Sequence, residues 1–221
     1  MIPVLLSFGF VFLVIGFATL FDKLGFLNDE GSRKFIHIGV SNWWIVAMIV
    51  FEPSDYLLAI IPPLTFIVLN YLSYRFNLIK SMERDHQSAS DLGTVYYAIS
   101  LFIVTLVAFY SASLDASSFF YVERALMIGA LSILVMGYGD GLSAVLGQAI
   151  KSRKLYKNKS LAGSATFFIV SLILGLILFP SLWFLMILLA ISATFVELFT
   201  PKGFDNLSVP LFIFVVLMVI L

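Results

Sequence analysis

The chain has 221 residues, thirteen basic and thirteen acidic side chains, 61% hydrophobic residues and a mean hydropathy of +1.06, more apolar surface than a soluble fold can bury. Its formal charge of zero points to neither nucleic acid nor an acidic partner. Cysteine is absent, which excludes disulfides, thiolate metal sites and a cysteine nucleophile.

A bilayer span takes about 20 apolar residues, and apolar runs bounded by charge or turn residues predict eight spans, near 3–21, 35–51, 55–73, 93–110, 124–147, 164–179, 181–199 and 207–221. The expected fold is all-α, a polytopic integral membrane protein with one transmembrane catalytic domain over 1–221. No Lys or Arg precedes the first run, and Ala18-Thr19-Leu20 is a poor cleavage site, so it reads as a span rather than a signal peptide. His37 opens the second, behind Arg33-Lys34. Pro62-Pro63 predicts a kink in the third or a break in its hydrogen bonding, and Asp91 opens the fourth. The fifth contains Gly137-Tyr138-Gly139-Asp140-Gly141, which predicts a tilt, a break or an exit from hydrocarbon before Gly147. Glu197 lies near the end of the seventh, and Asp205-Asn206 precedes the short eighth.

Twelve of the thirteen basic residues fall in alternate loops: Lys23, Arg33 and Lys34; Arg75, Lys80 and Arg84; Lys151, Arg153, Lys154, Lys157 and Lys159; and Lys202. Arg124 alone falls in the others. The positive-inside rule makes the first set cytosolic and, with eight spans, both termini external. A compact chain with minimal loops fits a prokaryotic plasma membrane. No motif addresses oligomeric state.

An ionisable group inside a span costs about 2.5–3.5 kcal/mol, which makes each a functional candidate. His37, Asp91, Asp140, Glu197 and Asp205 all fall at the same predicted face, where each could also be a solvated helix end. The densest block runs from Gly137 to Gly163. Its glycines give Asp140 open space, as Mg²⁺ requires when it binds through one or two carboxylates, waters and substrate phosphate oxygens. The five cations of the next loop, Lys154 and Lys159 among them, would face a polyphosphate. Ser160 and the amides around Gly163, at the start of the sixth span, would supply neutral donors. Basic loops required for topology alone and glycines required for packing alone are the competing explanation. No P-loop, dinucleotide fingerprint, His-Glu-x-x-His or Gly-x-Ser-x-Gly occurs, and His37 and His86 are too far apart in sequence to read as a metal pair.

Four blocks in order resemble the CTP-dependent lipid-alcohol kinases, the dolichol and phytol kinase family, itself distantly similar to phosphatidate cytidylyltransferases. They are Arg33-Lys34-Phe35-Ile36-His37; Gly139-Asp140-Gly141 with Gly147; Lys159-Ser160-Leu161-Ala162-Gly163-Ser164; and Glu197 followed by Asp205-Asn206-Leu207-Ser208-Val209-Pro210-Leu211. The resemblance implies transfer of the γ-phosphate of CTP, with a divalent metal such as Mg²⁺, to a polyprenol, phytol-like alcohol or diacylglycerol drawn from the membrane lipids. It implies metal at Asp140 and Asp205, with Glu197 supporting them or poising a base. It places nucleotide contacts at Arg33, Lys34, Gly141, Lys154, Lys159, Ser160, Gly163 and Asn206. His37 would either accept the alcohol proton or orient phosphate with Arg33 at i−4. Gln148 departs from the family, many of whose members carry Lys or Arg after the glycine that matches Gly147. A cytidylyltransferase making a CDP-activated lipid is the nearest alternative, and a transporter of lipid phosphate or small anions the next.

Overall fold

The computed structural model describes residues 1–76, 92–114 and 119–221. Lys80, Arg84, His86 and Asp91 lie outside the described residues. The described residues form α1 (Ile2–Lys23), α2 (Asp29–Ser41), α3 (Trp43–Val50), α4 (Tyr56–Ala59), α5 (Ile61–Phe76), α6 (Gly93–Leu114), α7 (Phe119–Leu134), a π turn (Val135–Asp140), α8 (Gly141–Ala149), a hairpin of β1 (Lys154–Tyr156) and β2 (Lys159–Ser160), α9 (Leu161–Leu178), α10 (Trp183–Phe199) and α11 (Asp205–Ile220). This is an all-α polytopic membrane architecture. Six helical stretches are long and apolar enough to cross a bilayer, and they match the first, third, fourth, fifth, sixth and seventh predicted runs. The second run is broken into α2 and α3, and α11 has 16 residues, below that length.

Three local departures from the apolar-run reading have physical causes. The second helix begins at Asp29 rather than near 35, because the Asn28 side chain accepts the Gly31 amide at 2.7 Å and caps a polar first turn. It stops at Ser41 and restarts at Trp43, with Asn42 between them. In the third run the helix is interrupted at Ile60, which is the break in hydrogen bonding that Pro62-Pro63 allows rather than a kink in a continuous helix. Neither Pro62 nor Pro63 has an amide to donate back to the preceding turn, so that turn cannot continue into α5.

The stretch Val122–Ala149 is the centre of the bundle: 78% of its apolar window is buried, against 50% in α6 and 22–28% in the other four. Lipid tails are as apolar as leucine, so helices associate here through close packing rather than escape from water. Small residues permit that approach. A Cβ on Gly129 would lie 2.1 Å from the Trp44 ring, and one on Gly137 would lie 2.2 Å from Ser41 Cβ. Trp44 also donates its indole N–H to the Leu126 carbonyl at 3.1 Å, fastening α3 to α7. The second run is thus seated on the central helix along both of its halves.

Candidate active site

Capping of α2 at Asn28 puts Arg33, Lys34 and His37 on successive turns of one helix. Facing them, the chain changes from α to π geometry at Val135 and returns at Gly141. A π turn inserts an extra residue into the helical register, rotates the residues beyond it, and recurs at functional sites. Asp140 is its last residue. Lys34 donates to Asp140 Oδ2, and His37 Nε2 lies 3.7 Å from the same oxygen. Both contacts fall on Oδ2, which leaves the other carboxylate oxygen for a cation.

A second charged group forms where α9, α10 and α11 start or end. The hairpin brings Lys159 to the end of α10, where its ammonium donates to Glu197 Oε1 at 2.7 Å, to Asp205 Oδ2 at 3.2 Å and to the Glu197 carbonyl. Burial lowers the Lys159 pKa, and the Glu197 and Asp205 carboxylates outweigh it, so the net direction is up and the ammonium stays charged. Asp205 is held by its own turn: Oδ1 accepts the Gly203 amide at 2.9 Å and the Asn206 amide at 3.2 Å. Gly203 has φ +91°, a conformation that favours glycine. The Asn206 side chain donates to the Gly93 carbonyl at 2.8 Å and ties α11 to the start of α6.

Two cavities meet between these groups. The first, about 120 Å³, has a polar end at Arg33, Lys34, His37, Asp140, Asp205 and Asn206, and an apolar body that includes Val11, Val40, Trp43, Pro63, Phe66 and Leu101. The second, about 300 Å³, is polar: Lys159, Ser160, Gly163 and Glu197 line it, with Gln148, Tyr156, Lys157 and Asn158 toward the exposed hairpin. Lys34, Asp140, Lys202 and Asp205 line both. An apolar cavity ending in an imidazole and carboxylates suits a lipid with a reactive polar end. The second cavity shares those carboxylates and balances Lys34, Lys157, Lys159 and Lys202 against Glu30, Asp140, Glu197 and Asp205, which suits a polyphosphate that arrives with a divalent cation.

The candidates therefore divide by location. Glu197, Lys159, Ser160 and Gly163 lie on the polar side, while His37, Arg33 and Asn206 lie on the apolar side. Lys154 is exposed on β1 and lines neither cavity. Gly141 also lines neither; a Cβ there would meet Ile38 at 2.5 Å, so its missing side chain admits α2. Ser160 caps α9 by accepting the Gly163 amide at 3.2 Å, and a Cβ on Gly163 would come 3.2 Å from the Ser143 carbonyl, so this motif also packs α8 against α9. Lys202 and Tyr97 join the cavities without having stood out in the sequence. The lysine had a signal, since it lies between Glu197 and Asp205; the tyrosine, one of nine, had none.

The donor set fits a divalent cation. Asp140, Glu197 and Asp205 offer hard carboxylate oxygens, and buried Glu197 Oε2 has no hydrogen-bond partner. Among the described residues no three His, Asp or Glu side chains gather closely enough to cage an ion alone. Mg²⁺ is ordinarily held in this way, by one or two carboxylates with waters and substrate phosphate completing the shell.

Comparison with curated proteins finds a phytol kinase of Synechocystis, 28% identical over 205 residues, covering 88% of this chain and 81% of the relative. Phytol kinase 1 of Arabidopsis thaliana is 30% identical over 224 residues, covering 90% of this chain and 69% of the relative. A probable phytol kinase of Triticum aestivum is 28% identical over 232 residues, covering 94% and 72%. Both plant relatives are chloroplastic. No family model and no solved structure matches the chain.

Proposed function

Since this chain belongs to the phytol kinase family, whose members are phosphotransferases with a lipid-alcohol acceptor, we propose that it transfers the γ-phosphate of CTP to phytol or a similar long-chain isoprenoid alcohol at the cytosolic membrane face. The observation that carries the reading is the junction of the two cavities at Asp140 and Asp205. The alcohol lies in the apolar cavity with its hydroxyl at His37. The triphosphate lies in the polar cavity with its terminal phosphate at the shared carboxylates. The choice of CTP rests on the resemblance in the four sequence blocks, and the choice of face on the segregation of basic residues.

Phosphoryl transfer requires positioning and charge neutralisation more than covalent help from the protein. Asp140 and Asp205 would hold Mg²⁺, with Glu197 in support, and the ion would neutralise charge on the transferring phosphoryl group. Lys34 and Lys202 line both cavities and stand beside the transferred phosphate; Lys159 holds Glu197 and Asp205 in place. His37 accepts the hydroxyl proton as the alcohol oxygen bonds to the γ-phosphorus. The bond from that phosphorus to the β–γ bridging oxygen breaks, and CDP leaves with the electron pair. The test is incubation of purified protein with Mg²⁺, γ-labelled CTP and a panel of phytol, geranylgeraniol, undecaprenol, dolichol and diacylglycerol. Label in phytol or geranylgeraniol is expected. Label reaching lipid only from α-labelled CTP, with lipid phosphates as acceptors, would establish a cytidylyltransferase instead.

A further inference from the structure

Buried polar atoms without partners are uncommon in folded proteins, and each calls for an explanation. Two of them belong to side chains whose rings pack together at the polar end of the apolar cavity. The Tyr97 ring, 6% exposed, packs on the His37 imidazole with centroids 4.3 Å apart. Neither the Tyr97 hydroxyl nor His37 Nε2 has a hydrogen-bond partner, and both residues line the cavity. Trp43 Nε1 and Asn206 Oδ1 are likewise unpartnered there, but neither residue stacks on His37. A phenol hydroxyl and an imidazole nitrogen are the complementary pair that one alcohol oxygen needs: the phenol donates and the nitrogen accepts.

We propose that Tyr97 and His37 together form the binding subsite for the acceptor hydroxyl, with Tyr97 a catalytic residue that contacts the substrate oxygen. This rests on the reading of the apolar cavity as the acceptor site. An alcohol oxygen has four tetrahedral directions: one to carbon, one to its hydrogen, and two lone pairs. His37 Nε2 takes the hydrogen and the Tyr97 O–H occupies one lone pair. A single lone pair is then left, and its direction is fixed toward the carboxylates where the terminal phosphate binds. Tyr97 exchanges no proton in the reaction; it orients the nucleophile and fixes its distance, on which the rate of such a transfer depends steeply.

Tyr97→Phe tests this, because it keeps the ring against His37 and removes only the unpartnered hydroxyl. In the full chain in detergent micelles, with phytol as probe, kcat/KM for phytol is expected to fall at least tenfold, a loss about as large as that of one oriented hydrogen bond to a reacting group. CTP affinity by equilibrium dialysis should stay within about twofold, and the melting temperature without substrates should hold or rise, since replacing an unsatisfied buried hydroxyl by an isosteric apolar group does not destabilise. A structural role would give the opposite pattern, with a lower melting temperature and impaired CTP binding, and would overturn the proposal. So would a phytol kcat/KM within twofold of wild type. If the wild-type protein moves no label from CTP to any alcohol, the kinase reading fails and the subsite falls with it. An active wild type with an unaffected Tyr97→Phe variant overturns the subsite alone.

Discussion

Replacing Lys159 by methionine removes three hydrogen bonds at one point and leaves two carboxylates whose side chains are each only 8% exposed. The cost is not shared equally. Asp205 keeps two backbone amides on Oδ1, whereas Glu197 loses its Oε1 partner and has none on Oε2. Removing one member of a buried ion pair costs about 3–5 kcal/mol, and the retained amides put Lys159→Met near the lower figure, about 3 kcal/mol. At the 2–4 °C per kcal/mol typical of this chain length, the melting temperature falls by about 6–12 °C. Adding Glu197→Gln removes the stranded charge and should recover most of that loss. Unfolding in one fixed detergent, followed by the fluorescence of the three tryptophans, measures the cycle. Lys159 has its pKa raised, so its contribution is complete below the ordinary lysine value of about 10.4 and is lost only as pH rises through the raised value. The lysine itself therefore gives the cycle no pH dependence between about pH 7 and 9. A single variant costing under about 1 kcal/mol, or a double variant no more stable than the single, would refute the view that Lys159 holds these carboxylates in place.

Asp140→Asn retains a hydrogen-bond acceptor for Lys34 but removes the charge, so the protein should stay folded while Mg²⁺-dependent turnover drops about 10²–10³-fold; normal turnover across a Mg²⁺ titration would take Asp140 out of the metal site. Gly137→Ala puts a methyl group 2.2 Å from Ser41 Cβ. It should cost about 1–3 kcal/mol through overpacking, and Ser41→Gly in the same chain should restore stability. Val40→Trp partly fills the apolar cavity one turn from His37. Kinetics with isoprenoid alcohols of increasing length should show activity lost first on the longest, with CTP affinity unchanged; equal loss at every length would place the chain elsewhere.

The apolar runs were legible because each is set by composition, and six of the eight return as helices long enough to cross a bilayer. Their interruptions were legible only where a residue type forces them. Pro62-Pro63 announced a disturbance and the glycines around Asp140 announced an irregular helix, but the π turn, the break at Asn42 and the hairpin depend on what packs alongside. The polar first turns of α2 carry little hydropathy signal, so the helix bearing Arg33, Lys34 and His37 was expected to start later than it does. The alternation of spans and basic loops placed Asp140, Glu197 and Asp205 at one face, yet the pairings of Lys34 with Asp140, and of Lys159 with Glu197 and Asp205, span 106, 38 and 46 residues. Such distances in sequence carry no spacing rule. Glycines read as room for a ligand were partly room for a neighbouring helix, as Gly137 and Gly141 show against α2.

Two cavities with a common wall also constrain the order of events. Asp140 and Asp205 belong to both, so on the proposed assignment of the cavities donor and acceptor would occupy the protein together, and the phosphoryl group would cross a boundary instead of resting on a side chain. Initial-rate plots at several fixed alcohol concentrations should accordingly intersect, as a ternary complex requires, where a phosphorylated enzyme intermediate would make them parallel. On the same assignment the two products would part by phase: the diphosphate would return to water from the polar cavity, and the phosphorylated lipid would remain in the bilayer.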